Sequence, residues 1–131
     1  MSYIYTNPNP NGRNVGDCTV RAISLCEDLM WEEVYLSLCV IGFLEADMPS
    51  SNEVTDKYLL SQGYIKKPII NTCPDCYTAK RFCEDHPKGR FILGTGTHLI
   101  CVIDGDIYDA WDSSDKVVVY YFSKEDENGI Q

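Results

Sequence analysis

From Arg90 onward the chain changes its hydrophobic period, and that change limits the folds open to it. Residues 90–93, 97–103, 106–111 and 116–122 are short runs rich in Ile, Val, Tyr and Phe, the types that suit a pleated, half-buried surface. Asp104-Gly105 separates two of them, and an Asp-Gly pair between apolar runs is a strong hairpin signal. Upstream, apolar residues recur at helical spacing instead. Val20, Ala22, Ile23 and Cys26 form the stripe of a helix from Cys18 to about Asp28, with Asp17 as its N-cap. Trp31, Val34, Tyr35, Leu38 and Ile41 mark a second helix over 31–43. Pro49-Ser50-Ser51-Asn52-Glu53 supplies a stop and a new N-cap for a third helix, which ends at Ser61 before Gly63. A fourth fits 75–85. The Asn/Pro/Gly-rich stretch from Tyr3 to Val15 reads as an ordered loop or extended lead-in. Helices followed by an antiparallel sheet predict an α+β fold, and 131 residues suffice for one domain spanning 1–131.

The net charge of −9 argues against nucleic acid as a partner, because phosphate backbones are held by clustered Lys and Arg. The basic pairs Lys66-Lys67, Lys80-Arg81 and Lys88/Arg90 are scattered along the chain. No apolar run reaches membrane-spanning length, and the first residues lack the basic and apolar regions of a signal peptide. The expectation is a cytoplasmic protein without a membrane partner. Seven cysteines, an odd number, fit reduced thiols better than a disulfide framework. Cys26, Cys39 and Cys101 sit among apolar residues and are expected to be small buried hydrophobes.

Cys18 differs from these because Val15-Gly16-Asp17-Cys18-Thr19-Val20-Arg21-Ala22 places it at the opening of a helix. There the unpaired amides and the positive dipole end favour an anion. An imidazolium neighbour lowers a thiol pKa further, so that the nucleophilic thiolate forms near neutral pH. His98 is the one His on a predicted strand; His86, before a Pro at a helix end, suits a solvated terminus. A third polar group would fix which ring nitrogen of His98 carries the proton. Hairpin register decides between two carboxylates. A two-residue turn sets Trp111 opposite His98, with Asp109 diagonal to it. A three-residue turn sets Asp112 directly opposite. Opposite residues lie about 5 Å apart and diagonal ones about 7–8 Å, so a short Asp side chain favours Asp112, with Asp109 as the alternative. The first-turn amides would help bind an oxyanion, and Asn14 is the nearest side-chain donor, with Asn11 and Asn9 behind it.

A metal site competes for other residues. Cys73, Cys76, Cys83 and His86 form a C-x2-C-x6-C-x2-H pattern, a set of soft ligands that suits tetrahedral zinc. The spacer is short, however, and Cys83 follows Phe82 where a helix needs apolar residues. Core packing is therefore preferred for Cys83, and no metal or other cofactor is expected.

Gly16-Asp17-Cys18 opening a helix, His98 on a strand and a carboxylate after the next strand together resemble the papain-like cysteine peptidase superfamily. The style is closest to its compact bacterial branches, such as the peptidases that cleave bacteriocin leaders. Val15 to Ser24, then Trp31-Glu32-Glu33-Val34-Tyr35, Met48 to Asn52 and Asp109 to Ser113, further resemble small uncharacterised papain-like proteins of phages and Firmicutes. The resemblance implies a helical half and a sheet half with the cleft between them. The family's oxyanion Gln commonly lies six residues before its Cys, where this chain has Gly12. The leading expectation is a thiol hydrolase that cleaves a peptide or isopeptide bond of a peptide or protein substrate through an acyl-enzyme on Cys18. A transglutaminase-like acyltransferase would use the same residues with an amine acceptor. A non-catalytic papain-like binding protein, such as a phage protein engaging a host factor, would need none of them.

Overall fold

A computed structural model describes residues 1–72 and 74–124. In chain order its elements are β1 (Tyr3–Tyr5), α1 (Cys18–Glu27), α2 (Trp31–Glu45), α3 (Asn52–Ser61), β2 (Tyr64–Pro68), α4 (Ala79–Asp85), β3 (Arg90–Gly94), β4 (Leu99–Ile103), β5 (Asp106–Asp109) and β6 (Tyr120–Lys124). The fold is α+β: four helices and a six-stranded sheet among the described residues, in the order β1-β5-β4-β3-β6-β2.

The sheet is mixed where the sequence pattern predicts an antiparallel one. Its centre is antiparallel, but β1 pairs parallel with β5, Tyr3 opposite Ile107 and Tyr5 opposite Asp109. Three residues are too few to show a strand period, so the lead-in conceals a strand. β2, also absent from the sequence reading, follows Gly63 and closes the other edge against β6. Its terminal Pro68 lacks a ladder donor and suits an edge strand. The expected strand over 116–122 begins later, at Tyr120.

Alternation along the strands builds two cores. Leu99 and Cys101 of β4, Ile92 of β3 and Phe122 of β6 join Val20, Ile23 and Cys26 of α1, Val34 and Leu38 of α2, and Val54 and Leu59 of α3. On the opposite face Phe91, Leu93, Ile100, Val102 and Ile107 pack with Ala79, Phe82 and Cys83 of α4. Helices therefore cover both faces, with α1 lying directly on β4. Cys26 and Cys101 meet at that contact with sulfurs 3.1 Å apart. Both are buried as expected, whereas Cys39 is only half-buried.

Local chemistry accounts for the joints. Ser51 caps α3, its hydroxyl oxygen accepting from the Val54 amide at 3.1 Å, as the sequence predicts. Thr78 caps α4 from the Arg81 amide at 3.3 Å, so that helix starts later than expected. The β4–β5 turn has two residues, because Ile103 pairs with Asp106. Asp104 and Gly105 have φ of 50° and 78°, the pair of positive values a type I′ turn demands. None of the described helices is long and apolar enough to cross a membrane.

Candidate active site

Cys18 is the first residue of α1, and His98 immediately precedes β4. The packing of α1 on β4 brings them to one cleft of about 360 Å³, which Gly16, Ser50, Asn52 and Tyr120 also line. Asp17 holds the N-cap position, but its side chain makes no cap bond. Its carboxylate instead accepts from Trp31 Nε1 at 2.9 Å and from Asn9 Nδ2 at 3.2 Å, and pairs with buried Arg21. This corrects its expected role as the side-chain cap, and it has a chemical consequence. Among the described residues no side-chain acceptor caps the first-turn amides at the residue that carries the thiol, where they favour negative charge.

His98 Nε2 lies 2.7 Å from Asp109 Oδ2. Nδ1 is then the ring nitrogen left for Cys18, which lines the same cleft and whose thiol and the imidazole shift one another's ionisation. Asp109 is 3% exposed. It accepts in addition from the Ser113 hydroxyl and the Ala110 amide, each at 2.7 Å, and Arg21 Nη2 lies 3.6 Å from its other oxygen. One buried guanidinium thus spans Asp17 at the entry to α1 and Asp109 at the end of β5. β1 secures the same strand end: Thr6 donates its amide to the Asp109 carbonyl at 2.8 Å, and the Tyr3 hydroxyl donates to it at 3.3 Å.

Asp112, expected as the third member, does not face His98. Its carboxylate is exposed and accepts from the Ser114 amide at 3.0 Å, which closes the loop after β5 as an Asx turn. The two-residue turn decides this, since it sets Trp111 against His98 with ring centroids 4.6 Å apart and leaves Asp109 on the diagonal. A His side chain reaches with its far ring nitrogen, and that length closes the diagonal gap a short Asp cannot span alone.

The electrostatics follow from these contacts. Burial opposes ionisation of Cys18, yet the hydrogen bonds from His98 and the Leu99 amide, with the positive charges of His98 and Arg21, bring its pKa below the ordinary thiol value. Burial likewise disfavours the charged form of His98. Hydrogen bonds to Asp109 and Cys18, with their charges, outweigh it and raise the imidazole from 6.5 to about 9. Asp109, also opposed by burial, is held below the usual carboxylate range by His98 and Ser113. The arrangement favours a thiolate–imidazolium pair at neutral pH.

Asn14 is exposed and does not line the cleft. Asn9 organises the loop instead, its Oδ1 accepting from the amides of Asn11 and Arg13 at 3.0 and 3.2 Å. Gly12 stands in that loop with φ of 63°, a left-handed turn residue without a donor side chain. Asn52, at the start of α3, is the Asn that lines the cleft. Nothing in its sequence neighbourhood distinguishes it from an ordinary helix-start residue. Of the alternative metal set, Cys73 lies outside the described residues. Cys83 is a core side chain, 2% exposed, and the His86 ring stacks on Phe82 at 3.9 Å with Nδ1 3.0 Å from the Phe82 carbonyl. Comparison with protein-family models, curated proteins and solved structures finds no match to this chain.

Proposed function

We propose that this chain is a papain-like thiol hydrolase that cleaves a peptide or isopeptide bond through an acyl-enzyme on Cys18. The meeting of Cys18 and His98 in one cleft, with buried Asp109 bonded to the imidazole behind it, carries the proposal. The Cys18 thiolate attacks the substrate carbonyl, and the first-turn amides of α1 face the developing oxyanion. Collapse of the tetrahedral intermediate breaks the C–N bond while imidazolium His98 gives its proton to the leaving amine. The neutral imidazole then takes a proton from water, whose oxygen attacks the thioester; collapse of this second intermediate breaks the C–S bond, releases the carboxylic acid and returns the Cys18 thiolate beside the imidazolium. Asp109 holds the ring through Nε2 and stabilises its charged form throughout.

Brief treatment with limiting iodoacetamide at pH 6 to 7, followed by mass mapping, tests the assignment. Cys18 should be alkylated first among the cysteines, with Cys26, Cys83 and Cys101 protected by burial until the protein is denatured. Preferential labelling of Cys73, Cys76 or Cys39 with Cys18 inert would remove Cys18 as the nucleophile.

A further inference from the structure

α2 is apolar on all sides, yet only one side of it is packed. Val34 and Leu38 enter the core. Gly42 lets the following chain fold back, since a Cβ there would meet the Asp47 carbonyl at 2.8 Å. Glu45 turns to Lys57 of α3. The outer side is open: Leu36, Val40, Phe43 and Leu44 range from 56% to 84% exposed, and Tyr35 and Met48 at its margins are exposed as well. A helix that is apolar all round is ordinarily covered all round. No residue between Tyr35 and Leu44 is charged, and the described residues that line the Cys18 cleft come from outside α2. The active-site chemistry therefore makes no use of this face.

Area and pattern both point to a second copy of the chain as the occupant. The six side chains expose roughly 700 Å², more than the largest patch of a typical monomer, about 300–600 Å². A standard interface takes about 800 Å² from each partner, so this face nearly supplies one half of one. Its residues form two rows at the i, i+4 spacing of helical ridges, Leu36-Val40-Leu44 and Tyr35-Cys39-Phe43. Such rows from two helices interdigitate at a crossing of about 50°. Small Ser37 and Cys39, beside Leu36 and Phe43, leave hollows for the large side chains of the other copy. Glu32 and Glu33 stand about 10 Å along the axis from Val40, and the inclined crossing carries them away from their counterparts. A cationic helix would find no carboxylate along the seam to pair with. We propose that the outer face of α2 is the isologous interface of a homodimer, with the two-fold axis beside Val40.

Sedimentation velocity over roughly 1 to 200 μM chain tests this, since interfaces of such area bind at micromolar Kd or tighter. The mass should rise from 14.9 kDa toward twice that value. Raising NaCl should lower Kd, because salt screens the repulsion between two chains that each carry −9. Val40→Glu should raise Kd at least about 100-fold, since the axis sets each new carboxylate against its own copy. Val40→Lys should do the same, and an equimolar mixture of the two should restore a mixed dimer. Phe43→Ser adds no charge and should weaken the dimer about tenfold or more. All three positions of change are exposed, so urea midpoints and Cys18 alkylation rates should match those of the unaltered chain. A mass of 14.9 kDa at every concentration and salt would overturn the proposal, as would a dimer that Val40→Glu and Phe43→Ser leave intact. A chain that stays monomeric but binds a helical Leu/Lys peptide, and loses it on Phe43→Ser, would overturn the homodimer and assign the face to a cationic partner.

Discussion

Replacing Asp109 by Asn removes one charge from the buried end of β5 and leaves the backbone and side-chain size nearly unchanged. Asp109 heads the groups that raise His98 from 6.5 to about 9 against the cost of burial. At about 1.4 kcal/mol per pH unit, that displacement corresponds to roughly 3 kcal/mol in favour of the imidazolium, shared between Asp109 and the Cys18 thiolate. Because these contributions must also overcome burial, losing Asp109, the first of them, lowers His98 toward its ordinary value and weakens the thiolate–imidazolium form at pH 7. Iodoacetamide alkylation of Cys18 at pH 7 should slow about tenfold. Amide turnover should fall further, by roughly 10² to 10⁴, since an Asn also permits the wrong tautomer of the ring, as in the serine-protease triad. Asp112→Asn is the matched control: its carboxylate is exposed and binds Ser114, so rates should stay within about twofold. The assay is the pseudo-first-order alkylation rate from pH 5 to 10, with circular dichroism to verify the folded fraction. A larger loss from Asp112→Asn than from Asp109→Asn, or no change from either, would refute the triad assignment.

Turnover should be bell-shaped in pH. Its alkaline limb should lie near 9, where His98 loses the proton needed by the leaving amine, and its acid limb below the ordinary thiol value. For stability the two partners act in opposite directions. The contribution of raised His98 is complete below about pH 6.5 and is lost as pH rises through about 9; that of depressed Asp109 is present above 3.8 and is lost as pH falls through its folded value. Melting temperature across pH should show both declines, and His98→Ala should remove the alkaline one. Arg21→Met leaves Asp17 and Asp109 buried without their shared cation and should cost about 3–5 kcal/mol in urea unfolding; a loss below about 1 kcal/mol would show that the guanidinium contributes little there. Gly94→Ala places a Cβ 2.2 Å from the Tyr120 ring. It should destabilise by about 1–3 kcal/mol and, by displacing a ring that lines the cleft, alter the Cys18 alkylation rate; an unchanged urea midpoint would show the ring to be free to move.

Residues close in sequence disclosed what they do to one another. The apolar stripes of α1 and α2, the Ser51 cap and the Asp104-Gly105 turn were legible because each is encoded within a few positions. The sequence pattern starts the fourth helix too early because Thr78, its actual cap, lies inside a run with other plausible starts. β1 and β2 escaped notice because strands of three and five residues at the sheet edges take their identity from β5 and β6 rather than from their own period. Asn14 is the Asn nearest Cys18 in sequence, whereas the Asn that lines the cleft is Asn52, delivered from α3.

The sequence by itself determined the chemical types at the site: a thiol at a helix start, a His beside a strand, and two carboxylates beyond the hairpin turn. It also contained Asp17 and Arg21 one helical turn apart, without indicating that the pair is buried. Tertiary structure decided which carboxylate serves. Both candidate turns fit the same residues, and choosing between them needed a side-chain reach that sequence spacing does not measure. The positive φ values of Asp104 and Gly105 set a two-residue turn, the register then placed Trp111 on His98, and the imidazole met Asp109 across the diagonal. Only the packing of α1 on β4 brought Cys18 to that ring, and only the buried Arg21 tied Asp109 back to the start of the helix. Long-range packing fixes these relations, because each depends on the position and orientation of two elements far apart along the chain.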